Sequence, residues 1–168
     1  MKQTIIFFDF DSTICHMLEP EDGKKEYLAK TGKEFPHIGW WSKPESLDLD
    51  IFDIKLIESV DAVFQIASKD PTCKTVLLTN RITKMKDHVR KVLDHHNYKM
   101  DLYTFKAGSE NKGERIFSIL NNHFPLATNA AFYDDDPQHL VDTQNAMKAH
   151  NVRVKLFKVT QGIITPFN

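Results

Sequence analysis

Ile5-Ile6-Phe7-Phe8 is an unbroken apolar run that stops at Asp9-Phe10-Asp11-Ser12-Thr13. β-Branched and aromatic residues without polar alternation predict a strand buried on both faces, and such a strand ends where its acids begin. The same pattern returns further along. Lys74-Thr75-Val76-Leu77-Leu78 predicts a second buried strand that stops at Thr79-Asn80-Arg81, and Ala130-Ala131-Phe132-Tyr133 another that stops at Asp134-Asp135-Asp136-Pro137. Leu102-Tyr103-Thr104-Phe105 predicts a short strand, and the alternation in Val152-Arg153-Val154-Lys155-Leu156-Phe157 predicts one that is half exposed. Between the strands, apolar positions fall at helical spacing over 53–69, 83–96, 112–121 and 138–149. Residues after 160 carry no clear pattern.

The stretch 14–52 breaks this rhythm. Glu19-Pro20-Glu21-Asp22-Gly23, Thr31-Gly32-Lys33 and Phe35-Pro36-His37 interrupt it, which predicts an irregular, flap-like or small cap-like insert with a short helix over 24–30. Adjacent Trp40 and Trp41 either anchor this insert or offer a substrate a flat apolar surface with one donor. Apart from the insert, strand and helix alternate. The pattern predicts an α/β fold: a three-layer αβα, Rossmann-like sandwich on a mostly parallel five-stranded sheet, in one domain spanning 1–168.

Composition narrows the partners. The chain has 22 basic and 23 acidic side chains and a formal net charge of −1, so no basic excess advertises long nucleic acid or an anionic membrane. Cys15 and Cys73 are far apart and in no metal-ligand spacing, which points to a reducing compartment rather than a disulfide scaffold. The opening residues lead straight into the apolar run without a small-residue cleavage site, and no stretch has membrane-spanning length. The expectation is a cytoplasmic protein with no membrane association and no evident obligate protein partner.

In a parallel sheet the carboxyl ends of the strands share one edge, where ligands bind. Asp9, Asp11, Thr79, Asn80, Arg81, Asp134, Asp135 and Asp136 would all meet there, with Lys112 at the start of the helix leading to the acidic strand end. Clustered carboxylates without His or Cys suit Mg2+ better than Zn2+, and a lysine and a hydroxyl beside them suit a phosphoryl group. Arg81 either binds a phosphate or carboxylate bidentately or forms a surface salt bridge. His16 either reaches a substrate or plays no part. His95 and His96 are expected at a helix C-terminus, His139 facing solvent or capping a helix end, and Asp136 as the N-cap before Pro137.

Asp9-Phe10-Asp11-Ser12-Thr13, then Thr79, Lys112 and Asp134-Asp135 resemble, in order, the four signature motifs of the haloacid dehalogenase-like superfamily. The resemblance spans residues 3–158. Gly39-Trp40-Trp41 and Pro44-Glu45-Ser46-Leu47 are further similar to the haloacid dehalogenase-like domain of the Swiss Army Knife RNA-repair-like group. The resemblance implies a Mg2+-dependent phosphomonoester hydrolase that works through an aspartyl-phosphate. It makes Asp9 the nucleophile and Asp11 the general acid and base. Thr79 would bond the transferring phosphoryl oxygen, and Lys112, rather than its rival Lys106, would neutralise charge. Asp9, Asp11 (through its carbonyl), Asp135 and Asp134 would hold Mg2+, with Asp135 the favoured direct ligand. Thr13, Asn80 and Arg81 are left for substrate contacts and loop shape. Between Phe105 and Lys112 there is no room for a cap domain, and between Thr13 and the helix near 53 only for a flap and a small lid, so the mouth is expected to be nearly open. Bulky phosphorylated substrates fit such a mouth: a nucleotide, a nucleic-acid end or a phosphoprotein. The alternative is a catalytically idle binding module on the same fold.

Overall fold

The computed structural model describes residues 3–168, so residues 1 and 2 of the expected 1–168 domain lie outside it. The chain runs β1 (Gln3–Phe8), α1 (Pro20–Thr31), α2 (Glu58–Ala67), β2 (Cys73–Ile82), α3 (Lys86–His95), β3 (Leu102–Lys106), α4 (Lys112–His123), β4 (Ala127–Asp134), α5 (Pro137–Met147), β5 (Arg153–Thr160) and β6 (Ile163–Phe167). Short 3-10 turns occupy Pro44–Leu47 and Thr83–Met85.

The sheet order is β3-β2-β1-β4-β5-β6. All pairs are parallel except the last, β5 with β6. The chain winds outward from β1 to β3, then returns to lay β4 against the other side of β1. The direction of winding therefore reverses between β1 and β4, and the crevice at the carboxyl end of such a switch is where open α/β sheets bind ligands.

Side-chain alternation on β1 divides the core in two. Ile6 and Phe8 face Val60 and Phe64 of α2 and Val89 and Val92 of α3. Ile5 and Phe7 face the opposite side, with Ile116 and Leu120 of α4 and Leu140 of α5. The unbroken apolar run is thus the chain's response to helices on both faces. At Gly113 a Cβ would collide with the backbone at Asp142, so the missing side chain lets α4 and α5 approach closely.

Three expectations need correction. The sheet has six strands, not five. β6 returns along β5 through Gln161 and Gly162, both with positive φ (50° and 79°), which closes a two-residue hairpin with the twist that antiparallel strands favour. Gln161 is a weak signal for such a turn, and Pro166 argues against a strand. Pro166 is tolerated because β6 is the edge of the sheet.

Second, the helix expected over 53–69 begins only at Glu58. Residues 54–57 are extended because Ile57 N–H donates to the Ile14 carbonyl at 2.8 Å and His16 N–H donates to Lys55 O at 2.8 Å. Third, the insert holds a longer helix than 24–30. α1 has little apolar character, and Lys24 and Lys30 fasten it by donating to the carbonyls of Ile38 and Ile51 at 2.6 Å. Trp40 packs over Gly23 and between Phe35 and Phe52, so it anchors the insert. Among the described residues no helix is long and apolar enough to cross a membrane.

Candidate active site

Each site residue is delivered by a local feature of the chain. Asp9 is the first residue after β1, and its N–H donates to the Tyr133 carbonyl at 3.0 Å, tying it to the neighbouring strand end. Ser12, with φ of 55°, turns the following loop back so that the N–H groups of Ile14 and Cys15 both reach Phe10 O. On β2 the pairing with β3 jumps from Leu78–Thr104 to Ile82–Lys106, four residues against two. Thr79, Asn80 and Arg81 occupy that irregularity, which peels them away from β3 toward the crevice. Lys112 is the first residue of α4, capped by a reciprocal pair in which Asn111 Oδ1 accepts from Glu114 N–H and Glu114 accepts from Asn111 N–H, both at 2.9 Å.

A cation at a helix N-terminus opposes the helix dipole. Lys112 is nevertheless buried, because its Nζ lies 2.7 Å from Asp9 Oδ1 and 2.7 Å from Asp134 Oδ2. Burial alone would lower the Lys112 pKa, but the two carboxylates raise it above its ordinary value. Asp134 is itself fully buried. Burial would raise its pKa, yet His139 and Lys112 hold it below the usual carboxylate range. Its Oδ1 accepts from Asp136 N–H at 2.9 Å and contacts His139 Nδ1 at 3.0 Å.

Asp9 shows the opposite balance. Burial pushes its pKa up to about 8, Lys112 pulls it down, and Asp134 and Asp11 add to the rise. Asp135, half-buried, is raised to about 6 by burial and by Asp134. One carboxylate oxygen each from Asp9, Asp134 and Asp135 lie within 4.8 Å of one another. Three hard oxygen donors, with more negative charge than one lysine neutralises, are chemically suited to a hard divalent cation.

Arg81 stands elsewhere than expected. It is not a surface residue: it is buried in the cleft wall with its donors already engaged. Its Nε and Nη2 grip the Asp11 carboxylate at 2.8–3.1 Å, while Nη1 donates to the Trp41 carbonyl (2.9 Å) and Ser46 Oγ (3.0 Å). One buried guanidinium thereby joins the loop after β1 to the insert. Thr13 is also displaced from its expected role: it is fully buried, its hydroxyl without a hydrogen-bond partner among the described residues. Thr79 is buried at the end of its strand, and its Oγ accepts from Arg81 N–H at 3.0 Å.

Asp9, Asp11, Asn80, Lys112, Asp135 and Trp41 line one open cleft of about 590 Å3. The exposed Lys106 stands on its rim, away from the carboxylate cluster that holds Lys112. Of the adjacent tryptophans, Trp40 is buried and Trp41 faces the cleft. His16 lines a separate hollow beside the insert. Asp136 caps α5 as expected, accepting from Gln138 N–H at 2.8 Å. His96 contacts the Ile54 carbonyl at 2.7 Å rather than serving its own helix end.

Two contributors escape a linear reading. His139, expected to face solvent or cap a helix end, is half-buried between Asp134 and Asn80, and its pKa is raised. Burial lowers it, but the Asp134 hydrogen bond more than compensates. Its position three residues into the helix after the acidic strand end was the available signal. Arg115 donates to Thr79 O at 3.0 Å and to Asn80 Oδ1 at 3.2 Å. Spacing of one helical turn from Lys112 was its only sequence trace.

No family model and no curated protein sequence matches this chain. Solved structures do. The haloacid dehalogenase-like domain of the effector protein Lem4 from Legionella pneumophila is similar at 17% identity and a TM-score of 0.61, over 96% of this chain and 88% of that one. A chain of the Pnkp1/Rnl/Hen1 complex is similar at 16% identity and a TM-score of 0.58, over 94% of this chain. This chain spans 45% of that longer one. A haloacid dehalogenase-like hydrolase from Streptococcus pneumoniae matches at 14% identity and a TM-score of 0.53, over 91% and 83% of the two chains. With acid-ended β1 and β4 side by side at the switch of a mostly parallel sheet, and these neighbours over nearly its whole length, the chain has the haloacid dehalogenase-like fold.

Proposed function

We propose that this protein is a Mg2+-dependent phosphomonoester hydrolase that works through an aspartyl-phosphate on Asp9. The observation that carries this reading is the buried Asp9–Lys112–Asp134 cluster, with 2.7 Å contacts on both sides of the ammonium, opening with Asp135 onto the cleft. Mg2+ would be held by Asp9, Asp134 and Asp135, with the Asp11 carbonyl as a further ligand, and would supply charge neutralisation for phosphoryl oxygens.

The residues divide the chemistry. Lys112 occupies Asp9 Oδ1, which leaves the other oxygen to attack phosphorus. As the Asp9–phosphorus bond forms, the bond from phosphorus to the leaving oxygen breaks, and Asp11 donates a proton to that oxygen. Water then attacks the same phosphorus, Asp11 takes its proton, and Asp9 departs as carboxylate with release of phosphate. Arg81 orients Asp11 throughout: Oδ1 accepts from both Nε and Nη2, while Oδ2 accepts from Nε alone and keeps a second lone pair for that proton. Lys112 and the Thr79 hydroxyl offset charge on the transferring group.

The segment from Lys106 to Lys112 carries no cap, and the cleft is open. Trp41 beside it gives a planar surface and Lys106 a cation, which supports a nucleotide or a nucleic-acid end as the phosphate carrier. The similarity to a chain of an RNA repair complex points the same way.

Hydrolysis of an aryl phosphate tests the activity, with Mg2+ and with EDTA. Mg2+-dependent release of phosphate that Asp9→Asn abolishes is expected. Equal rates with Asp9→Asn, or no turnover across nucleotides, 3′- and 5′-phosphorylated oligonucleotides and phosphopeptides, would overturn the reading.

A further inference from the structure

Arg115, Asn80 and His139 form a chain of contacts that ends on Asp134, and its hydrogen-bond directions are fixed from the Arg115 end. A guanidinium can only donate. Arg115 Nη1 lies 3.2 Å from Asn80 Oδ1 and 3.0 Å from the Thr79 carbonyl, and Nη2 lies 3.2 Å from Thr104 Oγ1. The Asn80 oxygen must therefore face Arg115. That turns the Asn80 amide NH2 toward His139 Nε2, 3.0 Å away. An NH2 only donates, so Nε2 of the neutral imidazole must accept. The ring proton then sits on Nδ1, which is 3.0 Å from Asp134 Oδ1. Asp136 Oδ2 is the competing partner for Nε2, at 3.6 Å, beyond hydrogen-bond reach. On the far side of Asp134, Lys112 donates to Oδ2 and joins the chain to Asp9.

We propose that Arg115 and Asn80 are positioning residues that hold neutral His139 as its Nδ1–H tautomer, so that it always donates to Asp134 and fixes the plane of that carboxylate. The reason is economy of donors. Asp134 needs a rigid orientation to present an oxygen alongside Asp9 and Asp135, and Asp136 N–H and Lys112 already hold it from two directions. An imidazole free to exchange tautomers would put a lone pair against Asp134 Oδ1 in part of the population. Arg115 prevents that from a distance of two residues, and the same guanidinium holds the Thr79 carbonyl. The device thus couples the ends of β2 and β4 across β1.

The tautomer can be read without any turnover. Only its kinetic consequence rests on the phosphatase reading. The protein contains 8 histidines, so an imidazole-15N-labelled sample is compared with His139→Gln to assign the ring. With the pH raised until the His139 ring nitrogen shifts stop changing, so that the ring is neutral despite its raised pKa, wild-type His139 is expected to show a protonated Nδ1 and an unprotonated Nε2. Asn80→Asp replaces the donor by a second acceptor, and Nε2 is expected to become protonated. Arg115→Met frees the Asn80 amide to turn over, and a mixture of tautomers is expected. Both variants should lower kcat for an aryl phosphate about tenfold, in the range for residues that orient a ligand through another group, with KM changed less than kcat. A wild-type ring protonated on Nε2 overturns the inference, as does a ring unchanged in both variants. Absence of turnover in wild type with the expected ring spectrum would defeat the phosphatase reading and leave the positioning chain standing.

Discussion

Replacing Asp9 by asparagine should stabilise the protein while destroying its proposed activity, and the gain should grow with pH. Burial raises the Asp9 pKa from the ordinary carboxylate range to about 8, despite Lys112 at 2.7 Å. An acid with a raised folded-state pKa binds its proton more tightly folded than unfolded. Its contribution is therefore fully present below about pH 4 and is lost as pH rises through about 8. That window spans about four pH units, and at about 1.4 kcal/mol per unit the upper bound is about 5–6 kcal/mol. Asp9, Asp134 and Lys112 share protons as one cluster, and the surroundings relax on ionisation, so a gain of about 1–3 kcal/mol at pH 8.5 is the expected size. Asparagine keeps the volume and an acceptor for Lys112 and removes one negative charge. Urea unfolding in EDTA at pH 5, 7 and 8.5 measures the effect. The difference between Asp9→Asn and wild type should widen with each step. Saturating Mg2+ should narrow it by stabilising wild type in proportion to ligand binding. A difference that is constant with pH, or an Asp9→Asn protein less stable than wild type at pH 8.5, would refute the reasoning.

Arg81→Lys should lower kcat about 10- to 100-fold and cost about 1–3 kcal/mol of stability, because an ammonium cannot grip Asp11 bidentately and reach the buried Trp41 O and Ser46 Oγ at once; steady-state kinetics and thermal unfolding followed by circular dichroism check both halves. Gly113→Ala should cost about 1–3 kcal/mol, since the new methyl meets the backbone at Asp142 and forces α4 from α5; thermal unfolding reads it, and an unchanged midpoint would contradict the close packing. Burial would raise the Asp101 pKa, but Lys74 and the N–H and hydroxyl of Thr75 hold it below the usual range. A depressed pKa contributes stability above the unfolded value near 4 and loses it as pH falls through the folded value. Asp101→Asn should therefore be less stable than wild type at pH 6, with the gap shrinking by pH 3 in urea titrations.

Much of the scaffold was legible because it follows from local pattern. The runs at 5–8, 74–78 and 130–133 each became a parallel strand, since helices on both faces leave no polar side for alternation. The polar residues that follow those runs fell at the sheet edge because the parallel strands end there together. β6 was not legible, because its hairpin turn uses Gln161 and its strand tolerates Pro166 only by being an edge. Residues 54–57 carry helical spacing yet are extended, because pairing with the 14–16 segment outweighs a weak local preference.

Local pattern picks out the residues able to do chemistry and the edge they share: Asp9, Asp11, Thr79, Lys112, Asp134 and Asp135 lie at or just past strand ends or at a helix start, where secondary structure sets their placement. What each of them touches depends on how the elements pack. Arg81 turned from a candidate substrate ligand into the partner of Asp11 and the insert, and Thr13 was buried. Trp40 became an anchor while Trp41 reached the cleft, and His139 and Arg115 were drawn in from positions with no motif of their own. The physical reason is range. Periodicity acts over one helical turn or one strand, whereas the hydrogen bond between Asp11 and Arg81 joins residues 70 positions apart and exists only once β1 and β2 lie side by side.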